Sequence, residues 1–282
     1  MKHFDDIQDD EIRLITPKGG HKFNVFRRWW FWVVVSICTI TIILLIVLHL
    51  SRNNSTPEQQ YVPTPVSPNI VEDRLPCVIL SDTTINDIKL IIYTPQNAKP
   101  ELRVGIIDTT DQEIVLAFQA ADIRADNNRI VGDFVLNGKK MSNGKSKKGC
   151  CAIIGGKIYI DNNEDSPLFD EAIEKQGYFF RQYPLVINGD MQENKPKGKS
   201  VRHALCEKDG VIMTISTSSQ ESFHDFAQAL SDLGVQQAIY LSGGSSYGFC
   251  RTETNSFSWG DYLLWDKYTE SVNYIVWKAV NE

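Results

Sequence analysis

The longest apolar run in the sequence restricts the architecture of this chain more than any other feature. The stretch from Trp29 to Leu50, WWFWVVVSICTITIILLIVLHL, contains no Lys, Arg, Asp or Glu. About 20 apolar residues are needed to cross the hydrocarbon core of a bilayer, and a helix in a soluble core normally keeps a polar face. The sequence therefore predicts one transmembrane helix over residues 29–50.

The charges on either side of this run predict its orientation. Four basic residues precede it, Lys18, Lys22, Arg27 and Arg28, and only Arg52 follows closely. Because basic flanks favour the cytoplasmic side, we expect residues 1–28 to be a cytoplasmic tail and the rest of the chain to be periplasmic or extracellular. The run exceeds the 7–15 residues of a cleavable signal peptide and no A-x-A site follows, which favours a signal anchor.

The residues after the run divide into a spacer and a domain. Residues 51–70 are polar and carry four prolines, a composition typical of an extended linker. Residues 71–282 are sufficient for one hydrophobic core. The whole chain has 29 Lys and Arg against 35 Asp and Glu, so no basic excess favours a nucleic-acid partner.

Short β-branched and aromatic runs dominate residues 71–282 and predict an α+β domain with a mixed, largely antiparallel sheet. Gly-Gly in IIGGKIYI and Asp-Gly in CEKDGVIM are strong hairpin signals. The spacing of Phe223, Phe226, Ala227, Leu230 and Leu233 predicts a helix within 218–234, with Ser218 and Glu221 as a capping box and Gly234 at its C-terminal cap. A second, weaker helix is expected within 166–177. His224 falls on the solvent side of the first helix.

The cysteines do not indicate a metal site. Five of the six lie beyond the apolar run, with no C-x-x-C pair. The adjacent Cys150 and Cys151 are expected to be small buried residues at the start of a strand. The sequence thus predicts neither a metal nor a cofactor.

Two motifs in the domain resemble known sites but lack their context. Residues 244–248 match G-x-S-x-G, yet no helical pattern follows, and no histidine comes after His224 to complete a hydrolase triad. Residues 138–146, GKKMSNGKS, end like a phosphate-binding loop, but five residues separate the glycines where such loops have four. Both interpretations are disfavoured.

The order of several segments is similar to that of the phosphodiester glycosidase family. The segments are PLVING (184–189), VRHALCEKDGVIMTIST (201–217) and a helix leading into ALSDLGVQQAIYLSGGSS (229–246). The family's order is a strand ending in Asn-Gly, an Arg that opens a hairpin, a helix ending in Leu-Gly, and a strand running into Leu-Asp-Gly-Gly-Gly-Ser-Ser. The earlier FVLNGKKM is similar in place to the family's Asn-Gly-Gly-Phe-Phe.

The resemblance implies hydrolysis of a sugar-1-phosphodiester, with a carbohydrate or sugar-phosphate ligand. It implies catalytic roles for Ser242 and Asn137, and a substrate-binding set of Arg202, Gly243, Gly244, Ser245, Ser246 and Asn188. A guanidinium matches phosphate geometry, and paired glycines let backbone N–H groups approach an anion.

Two functional classes remain open, because Ser242 stands where the family has an aspartate and a hydroxyl only hydrogen-bonds. The first is an active, membrane-anchored glycosidase. The second is a catalytically degenerate binding protein of the same fold, unless another carboxylate, such as Asp133 or Asp190, enters the cleft. Each predicted site residue also has a simpler interpretation as a turn or strand-end residue.

Overall fold

The computed structural model describes residues 24–53, 62–72, 74–261 and 270–280. The chain divides into two compact units, Met1–Gln60 and Tyr61–Glu282. The first unit contains one long helix, α1 (Asn24–Asn53). By length and composition, its stretch Trp29–Ile46 is apolar enough to cross a membrane. Most of the predicted cytoplasmic tail, residues 1–23, and linker residues 54–61 lie outside the described residues.

Within its described residues, the second unit contains three antiparallel sheets and two helices. A seven-stranded sheet has the order β1-β2-β13-β12-β14-β10-β11. Its strands are β1 (Cys77–Ile85), β2 (Ile88–Gln96), β10 (Pro184–Ile187), β11 (Asp190–Met191), β12 (His203–Lys208), β13 (Val211–Thr217) and β14 (Gln237–Leu241). A five-stranded sheet has the order β16-β15-β4-β17-β3. Its strands are β3 (Ala98–Val104), β4 (Ile114–Gln119), β15 (Gly248–Arg251), β16 (Ser256–Trp259) and β17 (Asn273–Ala279).

The third sheet has five strands in the order β6-β5-β9-β7-β8. They are β5 (Phe134–Leu136), β6 (Lys139–Ser142), β7 (Gly149–Ile154), β8 (Lys157–Asp161) and β9 (Tyr178–Gln182). The helices are α2 (Leu168–Glu174) and α3 (Phe223–Asp232). The α+β class is confirmed, and every strand pair in the described part of the chain is antiparallel.

Two-residue turns with left-handed backbone join many of these strands. Both residues of Gly155-Gly156 and of Asp209-Gly210 have positive φ, as type I′ turns require. The two predicted hairpins, β7–β8 and β12–β13, are therefore confirmed. Asn137-Gly138 and Asn188-Gly189 have the same conformation, in the β5–β6 and β10–β11 hairpins.

Helix α3 confirms the predicted amphipathic helix but corrects its N-terminal cap. Ser222, not Ser218, is the capping residue, and its side chain accepts a hydrogen bond from the Asp225 N–H. Asp225 lies three residues after Ser222, which is the spacing an N-cap hydroxyl needs. Gly234 follows the helix at φ +86, as expected for a C-terminal cap. The second predicted helix is also present, as α2.

The cores lie between the sheets and under the helices. The apolar side chains of α3 pack against β10, β12, β13 and β14 in one cluster.

Cys150 and Cys151 are fully buried in β7, as predicted, and all six cysteines are free thiols. His224 is exposed beside Glu193, with Nδ1 3.0 Å from its carboxylate. Part of the proline-rich segment also joins this unit, because Val66 and Ile158 exchange two backbone hydrogen bonds.

Candidate functional site

The ends of strands from all three sheets meet at one cavity. In the β12–β14 pair, His203 lies opposite Leu241, so the preceding Arg202 and the following Ser242 are neighbours at the same end of the sheet. The Ser242 N–H donates to the carbonyl of Gln119, the last residue of β4. Tyr183 connects β9 to β10, and its carbonyl accepts from the Tyr240 N–H. The topology thus gathers residues that are far apart in the sequence.

This cavity has a volume of about 390 Å³. Its lining combines one carboxylate, one guanidinium, several aromatic rings and a glycine turn. The lining residues are Gln119, Asp122, Ile123, Tyr183, Pro196, Ser200, Arg202, Phe223, Tyr240, Ser242 and Gly243. Convergent polar and charged groups in a cleft are typical of a ligand site.

The turn that begins at Ser242 runs close to other parts of the backbone. A Cβ atom on Gly243 would lie 2.3 Å from the Val201 carbonyl oxygen and 2.6 Å from the Tyr240 hydroxyl, so only glycine fits. Gly244 has φ +69, and its N–H donates to Val201. The Ser246 hydroxyl donates to the Ser242 carbonyl at 2.7 Å. Ser246 is 1% exposed and does not line the cavity, so its hydroxyl does not reach a substrate there.

Asp122 supplies the carboxylate of this cavity. Its Oδ1 accepts from the Ser242 hydroxyl at 2.8 Å and from Gln182 Nε2 at 2.8 Å. Its Oδ2 accepts from Lys147 Nζ. The Asp122 side chain is 38% exposed, whereas that of Lys147 is 5% exposed. The carboxylate therefore lies at the surface of the cavity with a buried cation behind it.

These contacts keep Asp122 ionised. Burial acts to raise the pKa of Asp122, but the charge of Lys147 and the hydrogen bonds from Lys147, Ser242 and Gln182 together outweigh it, and the pKa is lowered. For Lys147, burial lowers the pKa, and this effect outweighs the charge and hydrogen bond of Asp122, which act to raise it. An ionised carboxylate serves as a base, a nucleophile or an electrostatic stabiliser, and not as a proton donor at neutral pH.

Arg202 is buried among polar and aromatic groups of the cavity wall. Its Nε donates to the Glu221 carbonyl at 2.8 Å and its Nη2 to the Gly198 carbonyl at 2.7 Å. The guanidinium stacks 4.2 Å from the Phe223 ring centroid, and Nη1 lies 3.4 Å from the Tyr240 hydroxyl. A guanidinium carries five N–H donors, so Arg202 has donors left for an anion after these bonds.

Three aromatic rings form a continuous wall beside these charges. The Tyr183 and Phe223 centroids are 5.2 Å apart, and those of Phe223 and Tyr240 are 4.6 Å apart. Gln119 lies nearby, and its buried Oε1 has no hydrogen-bond partner within the described residues. The three rings therefore give the cavity an apolar surface beside its charged groups.

The predicted site residues fall into two groups. Ser242, Arg202 and Gly243 line the cavity, and Gly244, Ser245 and Ser246 continue the same turn. Asn137 and Asn188 do not line it; both are left-handed turn residues in hairpins, which is their simpler interpretation. From the sequence, the hairpin FVLNGKKM was expected to contribute to the site. The segment that lines the cavity instead is 119–123, which precedes this hairpin in the chain.

Neither carboxylate proposed from the sequence enters the cavity. Asp133 is buried and accepts from Arg181 Nε at 2.7 Å, and Asp190 lies in the β10–β11 hairpin. Sequence reasoning missed Asp122, Lys147 and Gln182. The available signal was that the fully buried run of β4 ends in Gln-Ala-Ala-Asp, which puts a carboxylate directly after a core strand.

The two disfavoured motifs also lack their structural context. Ser246 is followed by strand β15 and not by a helix, so residues 244–248 are not a nucleophile elbow. Gly138 is a hairpin residue, and strand β6 follows it. Over the described ranges, no three His, Cys, Asp or Glu side chains are arranged to hold a metal ion.

The fold and this cavity define a β-rich domain with an aspartate and an arginine at converging strand ends. The family model described as "Phosphodiester glycosidase" matches residues 112–265, more than half of the chain. The chain belongs to the phosphodiester glycosidase family, and the resemblance inferred from the sequence is confirmed.

Solved structures share the fold at low identity. The catalytic domain of zebrafish N-acetylglucosamine-1-phosphodiester alpha-N-acetylglucosaminidase, auto-inhibited by its pro-peptide, is similar with a TM-score of 0.55 and 12% identity, covering 78% of this chain and 89% of that chain. A hypothetical protein from Synechocystis is similar with a TM-score of 0.46 and 12% identity, covering 72% of this chain and 62% of that chain. No curated protein matches the sequence.

Proposed function

We propose that this chain is a membrane-anchored, exported glycosidase that hydrolyses a sugar-1-phosphodiester, with Asp122 as its reactive carboxylate. The observation that carries this proposal is that Asp122 occupies the cavity next to Ser242. Ser242, which follows β14, stands where the family has an aspartate. In this proposal, Asp122, which follows β4, supplies the carboxylate instead. Family membership supports the reaction class.

The chemistry of the substrate fits a single ionised carboxylate. When the bond between C1 of the sugar and the phosphate oxygen breaks, the leaving group is a phosphate monoester, whose second pKa is about 6. Such a group departs as an anion without a strong proton donor. The sugar develops oxocarbenium character, which an ionised Asp122 stabilises while it activates a water or attacks C1.

The other lining residues supply groups for the phosphate and the sugar. The remaining donors of Arg202 and the backbone of the Ser242-Gly243 turn suit the phosphate oxygens. The aromatic wall of Tyr183, Phe223 and Tyr240 suits the apolar face of a sugar ring. No metal or cofactor takes part in this proposal.

A second function, binding without turnover, is favoured by one observation. Ser242 stands where the family has an aspartate, and its hydroxyl, which donates to Asp122, only hydrogen-bonds. A catalytically degenerate domain of this kind would bind a sugar phosphate in envelope or glycan metabolism and leave it intact.

Turnover by the full-length chain in detergent separates the two functions. A panel of N-acetylglucosaminyl and glucosyl phosphodiesters is supplied, and free sugar is measured. We expect wild-type turnover, and a loss of about 10²–10⁴-fold in kcat for Asp122→Asn. Asp126→Asn is the matched control, because Asp126 lies in the same loop and pairs only with the exposed Arg124 among described contacts.

Two results would contradict the catalytic proposal. Undiminished turnover by Asp122→Asn would show that another residue carries the chemistry. Absence of wild-type turnover, with equal stabilisation of wild type and Asp122→Asn by a sugar phosphate, would establish the binding function instead.

A further inference from the structure

The carboxylate of Asp122 is part of a closed ring of hydrogen bonds. Gln182 donates through Nε2 to Asp122 Oδ1 at 2.8 Å and accepts through Oε1 from Lys147 Nζ at 2.8 Å. Lys147 completes the ring by donating to Asp122 Oδ2. Lys147 also lies over the Tyr183 ring, 4.7 Å from its centroid. Each of these partners comes from a different part of the chain.

The ring distributes the acceptor sites of the carboxylate unequally. A carboxylate has about four lone-pair sites. Oδ1 accepts from both Ser242 and Gln182, whereas Oδ2 accepts from Lys147. Oδ2 thus keeps an acceptor site for substrate or water.

Lys147 is a costly residue to bury for structural purposes alone. Removing a lysine from water is unfavourable unless a partner compensates, and its side chain is 5% exposed. The adjacent Lys148 is exposed and needs no such partner. A buried cation is therefore paired with a carboxylate that is itself partly exposed.

We propose that Lys147 is the positioning residue of Asp122: with Gln182 it fixes the orientation of the carboxylate and directs Oδ2 to the reacting atoms. The inference rests on the proposed function, since Asp122 is the reactive carboxylate there. Lys147 does not touch the substrate in this scheme. It acts on the charge and the orientation of Asp122.

The test follows the Asp122 carboxyl directly by NMR. The full-length chain in detergent micelles is labelled with [4-¹³C]aspartate, and the Asp122 signal is assigned from its loss in Asp122→Asn. In Lys147→Met, burial is no longer opposed by a cation, so the titration midpoint of Asp122 is expected to rise by about 1–3 pH units. Lys147→Arg should keep it near the wild-type value, and Lys148→Met is the matched control.

Activity gives a second readout with its own signature. We expect Lys147→Met to lower kcat at least about tenfold, to leave KM within about twofold, and to move the acid limb of the kcat profile with the NMR midpoint. Gln182→Met, which removes one Oδ1 donor and the link to Lys147, should shift both readouts in the same direction and serves if Lys147→Met fails to fold.

The outcomes distinguish this inference from the proposed function. An unchanged Asp122 midpoint in a folded Lys147→Met or Gln182→Met protein would overturn the positioning role, whether or not the wild type is active. A raised Asp122 midpoint in Lys147→Met, together with a wild type that lacks turnover, would support the positioning role and reject the catalytic function.

Discussion

At the scale of single residues, the site is decided by where one carboxylate lies and which groups surround it. The family aspartate position holds Ser242, and its hydroxyl donates to Asp122 at 2.8 Å. The cavity therefore holds an ionised carboxylate, although it comes from a different strand end. This exchange explains why reading position 242 alone suggested a loss of catalysis.

The exchange predicts how the cavity responds to a second carboxylate. In Ser242→Asp, two carboxylates lie within hydrogen-bond distance, and like charges raise the pKa of the pair. The folded-state pKa then exceeds the unfolded value, so stability falls as pH rises through that range. We expect the melting temperature relative to wild type to be lower at pH 7 than at pH 4.

The wild-type Asp122 behaves in the opposite way. Its pKa lies below the ordinary value of 3.8, so its contribution to stability is present above that value and is lost only as pH falls below it.

In the double variant Asp122→Ala with Ser242→Asp, a carboxylate returns to the cavity, and kcat should exceed that of Asp122→Ala at least about tenfold. Equal rates in these two proteins would contradict the exchange.

At the scale of secondary-structure elements, a glycine and a tryptophan on neighbouring strands pack closely within the five-stranded sheet. In the β15–β16 hairpin, Gly248 lies opposite Trp259, and a Cβ atom on Gly248 would lie 2.1 Å from Trp259 Cζ2. The indole therefore lies directly on the glycine and packs against Phe118 with ring centroids 4.7 Å apart. This packing links the β15–β16 edge to β4, whose end reaches the cavity.

Gly248→Ala should therefore destabilise the second unit, because the added methyl group displaces the indole. We expect a cost of about 1–3 kcal/mol, which is roughly 2–12 °C in melting temperature for a domain of this size. Ser258→Ala, at an exposed position of the same hairpin, is the control and should shift it by less than about 2 °C. A melting temperature that stays at the wild-type value in Gly248→Ala would contradict this packing account.

At the scale of the whole molecule, an apolar helix is joined in sequence to a glycosidase-family domain. The helix is long and apolar enough to span a membrane, while its orientation is predicted from the basic residues before it. If the orientation is as proposed, the cavity acts on substrates outside the cytoplasm. The sugar-phosphodiester substrates would then belong to the envelope or to extracellular glycans.

A reporter fused after Glu282 tests this topology. Because Arg27 and Arg28 flank the span on its N-terminal side, alkaline phosphatase at the C-terminus should be active and green fluorescent protein should be dark. Replacing both arginines with glutamate should weaken this preference. Fluorescence from the cytoplasmic reporter in the unmodified chain would reverse the orientation.

The sequence by itself determined the features that depend on local patterns. The apolar run, the Gly-Gly and Asp-Gly hairpins, helix α3 and the family's order of segments all follow from residues close together in the chain, because periodicity and turn chemistry are local properties. The capping box was misplaced because Ser218 and Ser222 both fit, and only backbone geometry selects between them.

The site itself was decided by the tertiary structure. Asp122, Lys147, Gln182 and Ser242 are separated by up to 120 residues and meet only because strands from three sheets end at one place. Asn137 and Asn188 carried the same Asn-Gly signal as a family motif, yet their hairpins end elsewhere. A one-dimensional pattern records which residues are present, whereas antiparallel register and sheet packing determine which of them share a cavity.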